Sequence, residues 1–200
     1  IEDDGPKASA TALTAADKGL LDESDTTGSG TDGIFTASVG FADNFTATAY
    51  GADGAGAVAY ALVLTGTNVA SGFFALGTNG AQGEAIVLNQ TGATITGTAG
   101  GQTYFVISID NDPASATFGT ATFTLNADRP IWHSATGANG TNHDDADTMS
   151  VAANALVVQQ TVTDGDGDTA TATLDIGTGV FTIEDDGPKA SATALTAADK

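Results

Sequence analysis

Along most of the chain apolar and polar residues alternate at every second position, and no stripe recurs at the 3.6-residue spacing of a helix. That is the pattern of strands that bury one face and wet the other. In the run from Thr169 to Ile176, Ala170, Ala172, Leu174 and Ile176 share one face, while Thr169, Thr171, Thr173 and Asp175 share the opposite one. The alternation predicts strands over 34–39, 45–50, 58–65, 85–89, 93–98, 103–109, 117–125, 155–163, 169–176 and 179–183. Glycine, Asn and Asp break the pattern between them, as in Gly51-Ala52-Asp53-Gly54, Asn79-Gly80, Gly100-Gly101 and Asn139-Gly140, where positive φ or side-chain capping makes tight turns. About ten short strands with short turns predict an all-β fold. The expected architecture is an Ig-like antiparallel β-sandwich with extra hairpins.

Residues 1–18 return letter for letter as 183–200. Identity over a whole segment exceeds what a shared fold demands, because cores tolerate many sequences. The chain therefore reads as one 182-residue period of a tandem array within a longer polypeptide. Residues 1–18 are the junction and start of the repeat, 19–182 a single sandwich, and 183–200 the next junction. A division of the sandwich near Asp110-Asn111-Asp112-Pro113 is the alternative.

Charge narrows the function. Twenty-five acidic residues face five basic ones, for a formal net charge of -20. Lys7, Lys18, Lys189 and Lys200 all lie in the duplicated segment, so Arg129 is the one Lys or Arg between 19 and 182. Such a surface repels phosphate backbones and anionic lipid, which argues against nucleic acid and membrane surfaces and for cations as partners. No apolar run has the length of a membrane span. Without cysteine there is no disulfide, and without lysine between 19 and 182 there is no Lys-Asn crosslink there. A non-covalent restraint is expected.

The carboxylates are clustered. Asp22-Glu23-Ser24-Asp25, Asp110-Asn111-Asp112, Asp164-Gly165-Asp166-Gly167-Asp168 and Glu184-Asp185-Asp186, the last repeated as Glu2-Asp3-Asp4, are the four groups. Two carboxylates about 4 Å apart repel by about 4 kcal/mol at an effective dielectric of 20, so converging ones call for a counter-ion. Oxygen donors without thiolate or imidazole select Ca2+ over Zn2+. The candidate ligands are Glu2, Asp3, Asp4, Asp22, Glu23, Asp110, Asp112, Asp164, Asp166, Asp168, Glu184, Asp185 and Asp186. The Asp-x-Asp-x-Asp run begins like an EF-hand loop, with Asp175 at its twelfth position. Thr169 stands where the obligatory glycine belongs, and a strand pattern follows where a helix should. A β-loop calcium site is the expectation, and a calcium-tied junction between rigid domains would turn a hinge into a rod.

The ordered elements Leu21-Asp22-Glu23-Ser24, Ala52-Asp53-Gly54, Ser71-Gly72, Ile131-Trp132-His133, Val162 to Thr169 and Ile183 to Pro188 resemble the long repeats of type I-secreted RTX adhesins over nearly the whole period. The resemblance implies an extender domain, an Ig-like sandwich repeated many times at a bacterial cell surface. Calcium at its junctions would stiffen the array and project a distal ligand-binding region. The partners it implies are neighbouring identical repeats, with the fragment itself a monomer outside the cell. The period is longer than is common for such repeats, hence the extra hairpins.

The sequence also offers features of two other classes. His133 and His143 beside Asp144, Asp145 and Asp147 offer acid-base chemistry, but in a Gly/Asn-rich stretch without a catalytic motif; no enzyme is expected, and Trp132 is expected in the core. A calcium-dependent carbohydrate- or surface-binding module acting by avidity is the alternative to the extender.

Overall fold

The computed structural model describes residues 4–23, 33–46, 49–134 and 145–185. Its strands are β1 (Gly19–Asp22), β2 (Thr36–Gly40), β3 (Ala55–Leu64), β4 (Val69–Leu76), β5 (Gln82–Thr91), β6 (Thr94–Ala99), β7 (Gln102–Ile109), β8 (Thr120–Leu125), β9 (Ala146–Ser150), β10 (Leu156–Asp164), β11 (Thr169–Asp175) and β12 (Thr178–Glu184). Among the described residues the helical elements are two three-residue 3-10 turns, Ala42–Asn44 and Thr78–Gly80. The fold is all-β and sandwich-like, as the alternation predicts. One sheet has the order β2-β8-β7-β6-β5-β4, and two three-stranded sheets have the orders β11-β10-β3 and β1-β12-β9. All pairings are antiparallel except that of β1 with β12.

Period two places the core. In β8, Ala121, Phe123 and Leu125 are buried while Thr120, Thr122 and Thr124 are not. Phe105 stacks on Phe123 with ring centroids 4.5 Å apart, Phe73 meets Phe105 edge-on, and Phe181 of β12 lies 5.1 Å from Phe123. Large offset or tilted rings contribute both area and quadrupole attraction. One hydrophobic cluster runs from Leu21 to Ile183 and joins the sheets.

The last strands form one long ladder. β9 and β12 pair with Ser150 opposite Thr178, and β10 and β11 pair with Val157 opposite Asp175. The connecting residues face each other as well, through Val151 N–H to the Gly177 carbonyl and Ile176 N–H to the Leu156 carbonyl. Residues 146–164 and 169–184 are thus the two arms of one irregular hairpin. At about 3.3 Å per residue the second arm spans roughly 50 Å. Asp175 holds the kink between β11 and β12, accepting the Asn154 and Gly177 amides at 2.7 and 2.9 Å. The turn 164–168 sits at one end of this hairpin, and Glu184 leaves from the other. We call these the N-terminal and C-terminal poles, because the leading segment docks at the first: Lys7 N–H bonds the Ala49 carbonyl, Thr11 N–H bonds the Asn44 carbonyl, and Ala8, Ala10 and Leu13 pack on the core.

Several expected elements differ. Of the strand predicted over 45–50, the described residues form isolated bridges, Phe45 with Ala10 and Ala49 with Lys7; their partner is the leading segment, where no strand is predicted. Strands β1, β4 and β9 lie where none is predicted, and β8 starts at Thr120 because 115–119 turn back on themselves. Trp132 is half-buried, edge-on to Phe74, rather than in the core.

The Phe stack leaves no room opposite Phe105. A Cβ at Gly97 of β6 would lie 2.3 Å from Phe105 Cζ. Gly97→Ala is expected to cost about 1–3 kcal/mol by forcing the rings apart, read as a lower urea midpoint at unchanged m-value.

Candidate metal centre and the C-terminal carboxylate cluster

The N-terminal pole is built by register. β3 and β10 stay paired as far as Thr163 opposite Ala57, then slip so that Asp164 faces Ala55. The slip lays the turn 51–54 beside the turn 164–168, and Gly165 N–H bonds the Gly54 carbonyl at 3.0 Å. The glycines are required by close approach. A Cβ at Gly165 would lie 2.3 Å from the Asp53 carbonyl oxygen, and one at Gly56 would lie 2.2 Å from that of Asp164.

This packing converges three carboxylates. One oxygen each from Asp53, Asp164 and Asp166 lie within 4.8 Å of one another. Asp53 and Asp166 are exposed, whereas Asp164 is only 3% exposed. Its Oδ1 accepts the amides of Gly167 and Asp168 at 3.1 and 2.8 Å. Its Oδ2 is buried with no hydrogen-bond partner. A buried acceptor left unmade costs roughly 1–3 kcal/mol, more when charged, and neighbouring carboxylates add repulsion. A hard cation among the three oxygens relieves both penalties, and an all-oxygen, all-anionic donor set fits Ca2+. The leading junction crosses this pole: a Cβ at Gly51 would lie 1.5 Å from the Asp4 carbonyl oxygen, and one at Gly5 would lie 3.8 Å from Asp168 Oδ2.

The remaining candidates distribute as follows. Glu2, Asp3 and Asp186 lie outside the described residues, as do Asp25, His143 and Asp144. Asp4 is exposed and 3.9 Å from Lys7 Nζ. Asp168 belongs to the same turn as the trio but not to it. Asp110 and Asp112 shape the β7–β8 turn: Asp110 accepts the Asp112 amide and the Thr117 hydroxyl, and Asp112 accepts the Ala114 amide. The Ser115 and Thr117 hydroxyls, with that amide, hold the Asp110 carboxyl below its ordinary value. Asp53 was not expected as a ligand. Its signal was an Asp-Gly turn directly ahead of the strand that pairs with β10.

The C-terminal pole gathers Asp22, Glu23, Glu184 and Asp185, about a hairpin's length from the trio. Asp22 pairs with Glu184 in the parallel ladder, Glu23 N–H bonds the Glu184 carbonyl, and Asp185 N–H bonds the Asp145 carbonyl. Both oxygens of Glu23 lie near the Ile131 amide, at 3.1 and 3.2 Å. His133, its side chain 2% exposed, has Nε2 3.5 Å from Glu23 Oε2 and Nδ1 3.5 Å from Asp147 Oδ2. Burial raises Glu23 and Asp147 above ordinary carboxyl values. Burial pulls the imidazole down, but Glu23, then Asp185 and Asp147, outweigh it and hold it above its usual value. The ring of His133 thus lies between two carboxylates, one facing each nitrogen.

Asp164→Ala, measured with a chelator present, is expected to lower stability by about 1–3 kcal/mol, because the Gly167 and Asp168 amides lose their acceptor. Asp164→Asn retains an acceptor and is expected to cost less, both read by urea unfolding.

Among the described residues no helix is long and apolar enough to cross a membrane. Neither the curated proteins nor the solved structures contain a match to this chain. A family model does match, over residues 18–177, which takes in β1 to β11, Asp53, the 164–168 turn and His133. By that match the chain belongs to the family described as a domain of unknown function, DUF5801.

Proposed function

We propose that this chain is a structural extender repeat of a calcium-dependent bacterial surface adhesin, stiffened by Ca2+ and extending a distal ligand-binding region from the cell. The observation that carries this reading is the placement of its two junctions. The leading segment, from Asp4 on, docks at one pole of a hairpin whose arm has a contour length of roughly 50 Å, and Ile183 to Asp185, where the trailing copy begins, lie at the other. Residues 186–200 repeat 4–18, so they carry the same groups for docking on a following copy as the leading segment uses here. Repeats joined in this way add length with each copy.

Calcium belongs at Asp53, Asp164 and Asp166, directly under the docked junction. Bound there, it ties the 51–54 turn, the hairpin tip and the leading segment together. Extracellular modules bind Ca2+ with dissociation constants of about 0.1 to 1 mM, so such a site loads outside the cell. No residue set acts as a catalytic machine in this reading.

Calcium at ten times its dissociation constant adds about 1.4 kcal/mol through binding only the folded state, a rise of about 3 to 6 °C in melting temperature for a domain of this size. Thermal unfolding in chelator and in calcium is expected to show that rise, and Asp53→Asn combined with Asp166→Asn is expected to remove it. Identical melting curves in both conditions would reject calcium stiffening.

A further inference from the structure

The leading segment is attached to the fold along one narrow strip. Isolated bridges join Lys7 to Ala49 and Ala10 to Phe45. Lys7 N–H donates to the Ala49 carbonyl at 2.8 Å, Thr46 N–H to the Ser9 carbonyl at 2.9 Å, and Thr11 N–H to the Asn44 carbonyl at 2.7 Å. Between these bonds Ala8, Ala10 and Leu13 turn toward the core and are half-buried. Asp17 closes the far end by accepting the Asn44 side-chain amide at 3.1 Å. Beyond it the chain is fixed, because a Cβ at Gly19 would lie 2.9 Å from Phe181 Cδ1 and β1 is paired with β12. Lys18 therefore joins a docked strip to a strand of the core, and the strip can leave without disturbing that strand.

A second stretch of the chain carries the same docking groups. Residues 186–200 repeat 4–18, so Ala192, Leu195 and Asp199 stand where Ala10, Leu13 and Asp17 do. We propose that the surface formed by residues 44–46 and 49 is an exchangeable interface between separate copies of this chain, in which residues 186–200 of one molecule replace residues 4–18 of another and join the two head to tail. The proposed function uses such docking between covalently joined copies; exchange extends it to copies on different chains and requires neither calcium nor adhesion.

Charge favours this segment as the incoming partner. Whole copies carry -20 each and repel one another. Residues 186–200 are formally neutral, because Asp186 and Asp199 are matched by Lys189 and Lys200. Tethering sets the balance between the two occupants. The leading segment competes for its own strip at an effective concentration on the order of 1 mM, so a dilute chain keeps that segment docked and remains a monomer. Weakening the leading copy alone hands the strip to the trailing copy of a neighbour.

Sedimentation equilibrium of the 200-residue chain from about 0.01 to 1 mM, in calcium and in chelator, tests the exchange. Thr11→Pro with Leu13→Asp removes a backbone donor and an apolar contact from the leading copy and leaves the trailing copy intact. This variant is expected to form dimers and longer species whose mass rises with concentration, while the unaltered chain stays monomeric below about 0.1 mM. Adding Thr193→Pro and Leu195→Asp, which spoils the trailing copy as well, should restore the monomer. A leading-copy variant that stays monomeric in both conditions, or a variant altered in both copies that associates equally, would overturn the exchange. Should the leading-copy variant not fold, disulfide trapping takes its place, since the chain has no cysteine of its own. The Ser9 and Thr46 hydroxyls meet in the docked state, and Ser191 is the counterpart of Ser9. Oxidising an equimolar mixture of the Thr46→Cys chain and the Ser191→Cys chain is expected to yield more mixed dimer than both like dimers together; a mixed dimer at or below that statistical share overturns the exchange as well. Calcium stiffening is read separately, from melting curves of the unaltered chain, so either reading can fail without the other.

Discussion

The backbone ladder that joins residues 146–164 to 169–184 determines most of what this molecule can do. It is the one feature shared by both three-stranded sheets, since β10 and β11 belong to one and β9 and β12 to the other. The kink between them is held by Asp175 and by the Gly177 and Leu156 carbonyls, which accept the Val151 and Ile176 amides. Because its tip lies at one pole and its open end at the other, the ladder separates the place where the chain arrives from the place where it departs. The inner face of the six-stranded sheet then packs against it through Phe181, Phe123 and Phe105. A sandwich whose termini met at one end would add bulk with each repeat; under the proposed function this one would add reach.

Electrostatics follow from the same geometry. A chain with a net charge of -20 must put its carboxylates somewhere, and two groups of them sit at the two poles with different solutions. At the N-terminal pole three oxygen donors converge around a buried oxygen of Asp164 that the protein leaves unpartnered, a deficit that an external cation repairs. At the C-terminal pole Glu23 and Asp147 each face one nitrogen of the buried His133 ring at 3.5 Å. In the proposed tandem chain these poles would be neighbours, because Glu184 and Asp185 of one copy are followed directly in sequence by the residue equivalent to Asp4 of the next.

Much of the fold was legible because strands with one wet face write themselves in period two. β3, β5, β6, β7, β10, β11 and β12 fall within a few residues of their predicted spans. The strands that escaped notice violate that rule for physical reasons. β4 buries Ser71, whose hydroxyl bonds the Ile86 carbonyl, and carries Gly72 at positive φ, so both a polar core position and a break interrupt its pattern. β9 buries only Met149, too little for a periodicity. β1 is four residues long and pairs in parallel with β12 from the opposite end of the chain. The site was half legible for the same reason. Asp164 and Asp166 announce themselves in Asp-Gly-Asp-Gly-Asp, whereas Asp53 joins them only through the β3–β10 register. Glu23, grouped by sequence with its acidic neighbours, is turned toward His133 by a contact between residues far apart in the chain.

The central claim is that copies stack end to end and that calcium fixes the angle between them. Small-angle X-ray scattering of three consecutive 182-residue periods, with calcium and with chelator, tests it most directly. The account predicts a rod in calcium whose largest dimension is near three times that of one repeat, at roughly 50 Å or more for each, and a shorter, broader distribution in chelator. A compact particle in calcium, or profiles that superpose in the two conditions, would contradict it.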